Sequence, residues 1–517
     1  MTRAGVGRNL RAVTYALPPV HPTVVHMLAD AAARAGDCVA LRCGDEQLTY
    51  RDYLACVAGF ARALGKGVRG GRVALVMGNS IDTAIATFGI WAAGAQAVPL
   101  NPAYTAHELR DIVADAAPAA IVCDAAVAEM LRPVAEDCGV GRVIAAAPDA
   151  RLTRWSGQGL APGDMPKPEA LAILQYTGGT TGRAKGVNLT HKAISTNVSQ
   201  REALLPSGEA ENILIVTPMY HSYAIAMGVL LAPYCRGTLS IVARYRPDDT
   251  LRTIEQHRIT LFAGSPTLFV GLMGHEAFAA TDFSSLALSF SGASALPEET
   301  LRRWEKATGC AVCEGYGQSE AGPVLTFNPR HGTRKTGSVG VCAPLTEIEV
   351  VDLDTGTKPL PVGEAGEIRA RGPQVMAGYR NRPQETAEAL RDGWLHTGDI
   401  GAFDADGYLF VRGRKKDMAI VGGFNVYPRE VEEALCAHPA VAEAAVIGVP
   451  DSYRGEALVA YVVLREGGAA DAAALEAALG GRLTRYKVPR DYRFCAQLPK
   501  TAVGKIDKVA LKAAHRS

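Results

Sequence analysis

"LAILQYTGGTTGRAKGVNLTH" (residues 171–191) decides how this chain is read. Three glycines and three threonines fall within residues 177–182, and Lys185 follows three positions later. The common Gly-rich phosphate loop runs strand, G-x-x-x-x-G-K-[ST], helix. Here Gly182 is followed by Arg183, and Lys185 by Gly186. "LAILQY" reads as a strand and "GVNLTH" as a second strand, with a helix beginning later, near "HKAISTNV". The loop therefore joins two strands. Its chemistry still suits phosphate. Consecutive glycines let backbone N–H groups converge on an anion, and the hydroxyls of Thr177, Thr180 and Thr181 add donors. Lys185 supplies a positive charge.

On either side of this stretch, short apolar runs alternate with amphipathic ones. "RVALVMG" (72–78), "AQAVPL" (95–100), "AAIVCD" (119–124) and "RVIAAA" (142–147) predict buried strands, with a helix over 107–117. "NILIVTP", "LSIVA", "ITLFAG" and "LALSFSG" predict a second set, with helices in "DDTLRTIEQHR" and "PEETLRRWEKATG". Such alternation marks mostly parallel α/β layers. From Ser338 to about Gly413, Gly, Pro and Asp turns recur, which predicts a β-rich subdomain with a hairpin at Asp406-Gly407. Beyond "GRKKD" (413–417), read as a linker, about 100 residues carry their own alternation. The predicted fold is α/β. A large N-terminal domain (1–415) of two α/β layers and the β-rich part precedes a small mobile α+β C-terminal domain (416–517).

The bulk properties narrow the class. A chain of 517 residues exceeds one core, so two to four domains are expected. Apolar residues make up 48% and charged ones 21%, and the net charge is +1, so the total charge points to neither nucleic acid nor an anionic membrane. Eleven scattered cysteines suit a reducing compartment. "CAVC" (310–313) has no second pair to complete a metal knuckle, and reads as buried strand cysteines. The N-terminus lacks the apolar run of a secretory signal, and the uncharged stretch between Asp82 and His107 reads as helix, turn and strand. The expectation is a cytoplasmic protein without stable membrane insertion, with room for peripheral contact, as monomer or homodimer.

Five further segments follow the Gly-Thr loop in order: "EGYGQSEAGP" (314–323), "GEIRARGPQVMAGYRN" (366–381), "DGWLHTGDIG" (392–401), "VRGRKKDMAIVGGFNVYPREVE" (411–432) and "LPKTAVGKIDK" (498–508). Together they resemble the ANL adenylate-forming superfamily of acyl- and aryl-CoA synthetases, peptide-synthetase adenylation domains and luciferases. "LQYTGGTTG-AKG" and the hinge segment resemble the fatty-acyl-CoA synthetase branch in particular. The resemblance spans roughly residues 20–510.

That resemblance implies an acid–thiol ligase using ATP, Mg²⁺ and coenzyme A. A carboxylic acid first becomes an acyl-adenylate with release of pyrophosphate. Coenzyme A then displaces AMP. By the same resemblance, Thr177, Gly178, Gly179, Thr180, Thr181, Gly182 and Lys185 hold the β- and γ-phosphates, and Thr181 and Glu320 hold Mg²⁺. Ser319 stands near the α-phosphate. Gly292, Ala293 and Ser294 border the adenine with Glu314, Gly315, Tyr316 and Gly317, and Asp399, Val411 and Arg414 complete the nucleotide site. Lys505 is the catalytic lysine, Lys416 the hinge, and Gly422, Gly423 and Phe424 border coenzyme A. His221 gates the acyl site, which Tyr220, Tyr223, Phe269 and Phe290 line. No arginine lies in 220–230, 264–270 or 290–294, which argues against a dicarboxylate and for a monocarboxylic, medium- or long-chain fatty acid. An aryl acid, or loading of a carrier-protein phosphopantetheine, is the alternative. No carrier domain follows Ser517, and 395–417 shows no insertion of the kind expected in ligases that bypass coenzyme A. Ala184, Ala224 and Gln318 depart from common family residues; the last two bear on chain length and substrate class.

Overall fold

Val73 and Leu75 point to one side of their strand, Ala74 and Val76 to the other, and all four are buried. A strand covered on both faces needs helices above and below it, and this requirement builds the molecule. The computed structural model describes residues 15–146, 152–155, 157, 159–160, 165–177, 184–292, 294–451, 453–480, 482–501 and 505–516.

The first sheet has seven strands, in the order Gly378–Tyr379, Lys185–Thr190, Leu171–Thr177, Gln96–Leu100, Arg72–Val76, Ala120–Asp124, Val143–Ala146. The second has nine, with Asn212–Ile215, Leu261–Gly264, Leu288–Ser291 and Val312–Tyr316 running parallel at its centre. One continuous core joins the facing sides of both sheets. The outer face of the first is covered by the helices Ala106–Ala116 and Ala125–Asp137. The outer face of the second is covered by Pro247–Gln256, Pro266–Met273 and Glu298–Thr308.

Two helices fill the space between the sheets. Ile81–Ala92, N-capped by Ser80, is apolar almost all round and wholly buried. His191–Leu204, N-capped by Thr190, is nearly as buried yet polar. Its side chains stay inside because they are bonded. Ser195 Oγ donates to the His21 carbonyl (2.7 Å), Asn197 Nδ2 to Val324 (2.8 Å) and Gln200 Nε2 to Pro344 (2.6 Å).

The turn-rich region forms a five-stranded antiparallel sheet in which Trp394–Phe403 pairs with Gly366–Arg371 and with Leu409–Arg414. The smaller C-terminal α+β domain has its own sheet and its own two cores. The chain reaches it through a tight turn at Lys415–Asp417, and Arg414, read as part of the linker, ends the preceding strand. Cys310 and Cys313 are buried, and among the described residues no cluster of metal ligands occurs. None of the described helices is long and apolar enough to cross a membrane.

Candidate active site

Thr177 stands opposite Lys185 across an antiparallel pair, so residues 178–184 form a strand-to-strand connection. Lys185 Nζ lies 5.3 Å above the centre of the Tyr379 ring. The Tyr379 hydroxyl donates to Glu320 Oε1 (2.9 Å), and the Glu320 carbonyl accepts from Met376 N (2.8 Å). Beside Glu320, Ser319 Oγ lies 3.2 Å from Ser222 Oγ. Gly317 is required where the chain turns into this site. A Cβ there would sit 1.8 Å from the Pro323 carbonyl oxygen.

Strand register sets the next pair. Asp399 faces Arg414 across neighbouring strands, and Arg414 Nε lies 2.9 Å from Asp399 Oδ1. Tyr316 donates its hydroxyl to Asp399 Oδ2 (2.7 Å). Burial pushes the Asp399 carboxyl above its ordinary range, against the pull of Arg414 and Tyr316.

Lys505 reaches the same place from the C-terminal domain. Its backbone is pinned in a turn: Thr501 N donates to the Lys505 carbonyl (2.7 Å) and Lys505 N to Thr501 Oγ1 (3.2 Å). Its ammonium is within electrostatic range of Arg414, Asp399 and Glu320. Burial and Arg414 push its pKa down, and the two carboxylates oppose this. His221 feels Lys505 as well; burial first, and that charge second, lower its pKa to about 4, so it is neutral at pH 7. Its Nδ1 accepts from Tyr223 N (3.3 Å).

The arrangement brings Lys505, Arg414, Asp399 and Glu320 within electrostatic range of one another, with a neutral His221 that also feels Lys505. Residues 28–380 match the family model for the AMP-binding enzyme, and residues 430–505 that for the AMP-binding enzyme C-terminal domain. The chain belongs to the AMP-binding enzyme family. It is an adenylate-forming ligase of the ANL superfamily, acting on a carboxylic acid. The long-chain-fatty-acid–CoA ligase of Bacillus subtilis is 37% identical, over 96% of this chain and 95% of its own. The feruloyl-CoA synthase of Amycolatopsis is also 37% identical, over 91% and 94%. ATP-bound MatB from Rhodopseudomonas palustris superposes with a TM-score of 0.88 at 31% identity, over 95% and 99% of the two chains. The anthranilate CoA ligase AuaEII in complex with anthranoyl-AMP gives 0.90 at 27%, over 96% and 98%.

Other expected residues of this adenylate-forming ligase fall in several places. Glu314 is buried, its Oε1 accepts from Leu296 N (2.9 Å), and burial raises its pKa to about 7. It thereby holds the turn after Gly292 and Ser294. Gly315 lies against the Phe327 ring, and Ser294 is exposed. Val411 packs its side chain into the core of the turn-rich sheet, and its carbonyl accepts from Arg429 of the C-terminal domain (2.8 Å). Lys416 lies in the connecting turn. Gly422 and Gly423 form an exposed hairpin turn, and Phe424, 56% exposed, stacks on Tyr486 at 4.6 Å. Gly178, Gly179, Thr180, Thr181, Gly182 and Ala293 lie outside the described residues.

The expected acyl wall divides. Tyr223 donates to the carbonyls of Gly264 (3.3 Å) and Phe290 (3.4 Å), and its ring edge leaves no room for a Cβ on Gly292, which would approach to 2.7 Å. The Tyr220 carbonyl accepts from Gln175 Nε2 (3.2 Å). Phe269 needs correction. It packs 4.7 Å from Trp304 and 5.6 Å from Phe262, on the outer face of the second sheet, whereas Phe290 faces the inner core. The helix Pro266–Met273 turns Phe269 away because its apolar face covers the sheet.

Sequence reasoning passed over Tyr379, Ser222 and Arg201. Tyr379 stands within a quoted motif, and only its bond to Glu320 distinguishes it. Arg201 is buried on the inner helix, with its guanidinium 4.4 Å from the centre of the Phe290 ring.

Proposed function

We propose that this ligase is an acyl-CoA synthetase: it activates a monocarboxylic acid, medium or long in chain, as the acyl-adenylate and passes the acyl group to coenzyme A. The observation that carries this reading is the buried Lys505 ammonium within electrostatic range of Glu320, Asp399, Arg414 and His221. Two negative reactants must meet, and cations arranged in advance lower their repulsion in the transition state.

In the first step the carboxylate oxygen forms a bond to the α-phosphorus of ATP, and the bond to the β-phosphate bridge breaks, releasing pyrophosphate. Lys505 bridges the attacking carboxylate and the α-phosphate. Asp399 accepts from the ribose hydroxyls and Arg414 donates to them. Lys185 and the Gly-Thr connection hold the departing phosphates. Mg²⁺ fits Glu320. The Tyr379 hydroxyl occupies Oε1, so Oε2 would hold the ion, with Thr181 as the second protein group the family resemblance implies; Mg²⁺ commonly takes one or two protein groups plus substrate phosphates. Its chemistry there is to offset phosphate charge. His221, being neutral, screens the acyl site without adding charge.

In the second step the thiolate attacks the acyl carbonyl and AMP leaves. Rotation about Lys416 withdraws Lys505 and brings Gly422, Gly423 and Phe424 to the site, which suits their exposure in the present pose. The domain boundary at 415/416 belongs to this reading. Coenzyme A as acceptor is supported by the similarity to the long-chain-fatty-acid–CoA ligase, and an aryl acid by the similarity to the feruloyl-CoA synthase. AMP release is measured for short, medium, long and aromatic acids, with and without coenzyme A. The expected result is thioester formation that requires coenzyme A and favours longer acids. Acyl-AMP formation with no thioester would overturn coenzyme A as acceptor and favour a carrier protein.

A further inference from the structure

The C-terminal domain meets the larger one through a side chain that neither step uses. Arg429 lies in the first turn of the helix Pro428–Cys436. Its Nη1 donates to the Val411 carbonyl (2.8 Å), on the strand Leu409–Arg414 that ends at the connecting turn. Its Nε donates to Glu433 Oε1 (2.8 Å), one helical turn on. Its Nη2 is buried and has no hydrogen-bond partner among the described residues. The side chain as a whole is 12% exposed. Two effects oppose this placement. A cation in a first turn meets the positive end of the helix dipole, and an unmade donor on a buried guanidinium costs free energy. What the side chain gains in return is a half-exposed pair with Glu433 and, across the domain boundary, the bond to Val411.

Position gives that bond a direction. Val411 lies on the same strand as Arg414, which pairs with Asp399. Glu314 is buried; burial raises its carboxyl to about 7, and Arg429 is the charge that most opposes this. Arg429 thus stands against the larger domain in the pose that presents Lys505. Rotation about Lys416 would carry Arg429 away with the C-terminal domain and leave Val411 behind. The same movement would return Nη2 to water, so the cost of its burial is relieved as the bond breaks. A contact of this kind favours one pose without locking it.

We infer that Arg429 is a positioning residue for adenylation: through the Val411 carbonyl it holds the C-terminal domain in the pose that presents Lys505, and it lets go before thioester formation. The inference rests on the proposed exchange of poses about Lys416, and not on the identity of the acid.

The test compares Arg429→Met with wild type in the two half-reactions, pyrophosphate exchange without coenzyme A and thioester formation from supplied acyl-AMP. Exchange should slow about tenfold, the usual worth of one hydrogen bond to a charged group, while thioester formation stays level or quickens. Arg429→Lys, which can still donate to a carbonyl, should recover part of the exchange rate. Arg429→Gln, a milder change, should show the same split and serves if the methionine variant is unstable. The substitution is then repeated together with Lys416→Pro, which restricts the turn. There the loss of Arg429 should cost no further exchange activity, whereas an arginine needed only for folding would cost the same in both backgrounds. Equal slowing of the two half-reactions, no slowing of exchange, or an equal loss in the Lys416→Pro background would each overturn the inference. Unaltered thioester formation in Lys416→Pro alone would sink the exchange of poses, and this inference with it.

Discussion

Asp399 and Lys505 meet at one site and are held in opposite ways. Asp399 sits inside a ten-residue strand, paired on both sides, with its carboxylate bound by Arg414 and Tyr316. Lys505 sits in a turn closed by Thr501 and by a single bridge between Lys500 and Ile506. Moving Asp399 would undo a ladder. On the proposed hinge, moving Lys505 would require only a small domain to turn about Lys415–Asp417. The difference teaches which groups can serve both chemical steps and which can serve one.

The largest test of this contrast is Lys505→Ala. Adenylate formation should fall by about 10²–10³, the usual loss for one prearranged donor, with thioester formation from supplied acyl-AMP spared. Equal loss in both would erase the distinction. Because burial lowers the Lys505 pKa, adenylation should also decline, as pH rises, earlier than an ordinary lysine would require, and the alanine variant should lack that limb.

Asp399→Asn sharpens the other side. Losing a charged hydrogen bond should weaken ATP and acyl-AMP roughly 10- to 100-fold each, measured as KM in the two half-reactions. A defect confined to adenylation would contradict a fixed role. Lys416→Pro should slow thioester formation on the order of tenfold and leave adenylation nearly intact, because the ring restricts the turn. Unaltered thioester formation removes the hinge.

The smallest effect concerns the fixed wall alone. His191 opens the inner helix with neither ring nitrogen bonded among the described residues, and burial lowers its pKa to about 3. Below pH 6.5 the unfolded chain takes a proton that the folded one refuses. Stability should therefore fall as pH drops through this window, by about 1 kcal/mol between pH 7.5 and 5.5. Urea titrations at both pH values check it, and an equal drop in His191→Phe would assign the loss elsewhere.

Much of the architecture was legible because alternation is a local property. The strands at 72–76, 96–100, 120–124 and 171–177 lie within a residue or two of their readings. The strand-to-strand Gly-Thr connection follows from Gly186 where a phosphate-loop helix would need Ser or Thr. The failures are equally physical. Phe269 was expected at the acyl wall, but helical phase turns it to the outer core. A polar helix such as 191–204 gives no sign in its own pattern that it is interior. Its burial depends on partners at His21, Val324 and Pro344, far away in the chain.

By itself the sequence determined the layered α/β class, the order of the segments and the residue types that suit phosphate and carboxylate, since each depends on neighbours along the chain. Only the tertiary structure decided that Lys505 lies within electrostatic range of Glu320 and Asp399, that Tyr379 holds Glu320, and that the Arg201 guanidinium lies over the Phe290 ring. Those facts depend on sheet register and on which sides of two sheets face each other, and such distances have no counterpart in linear order.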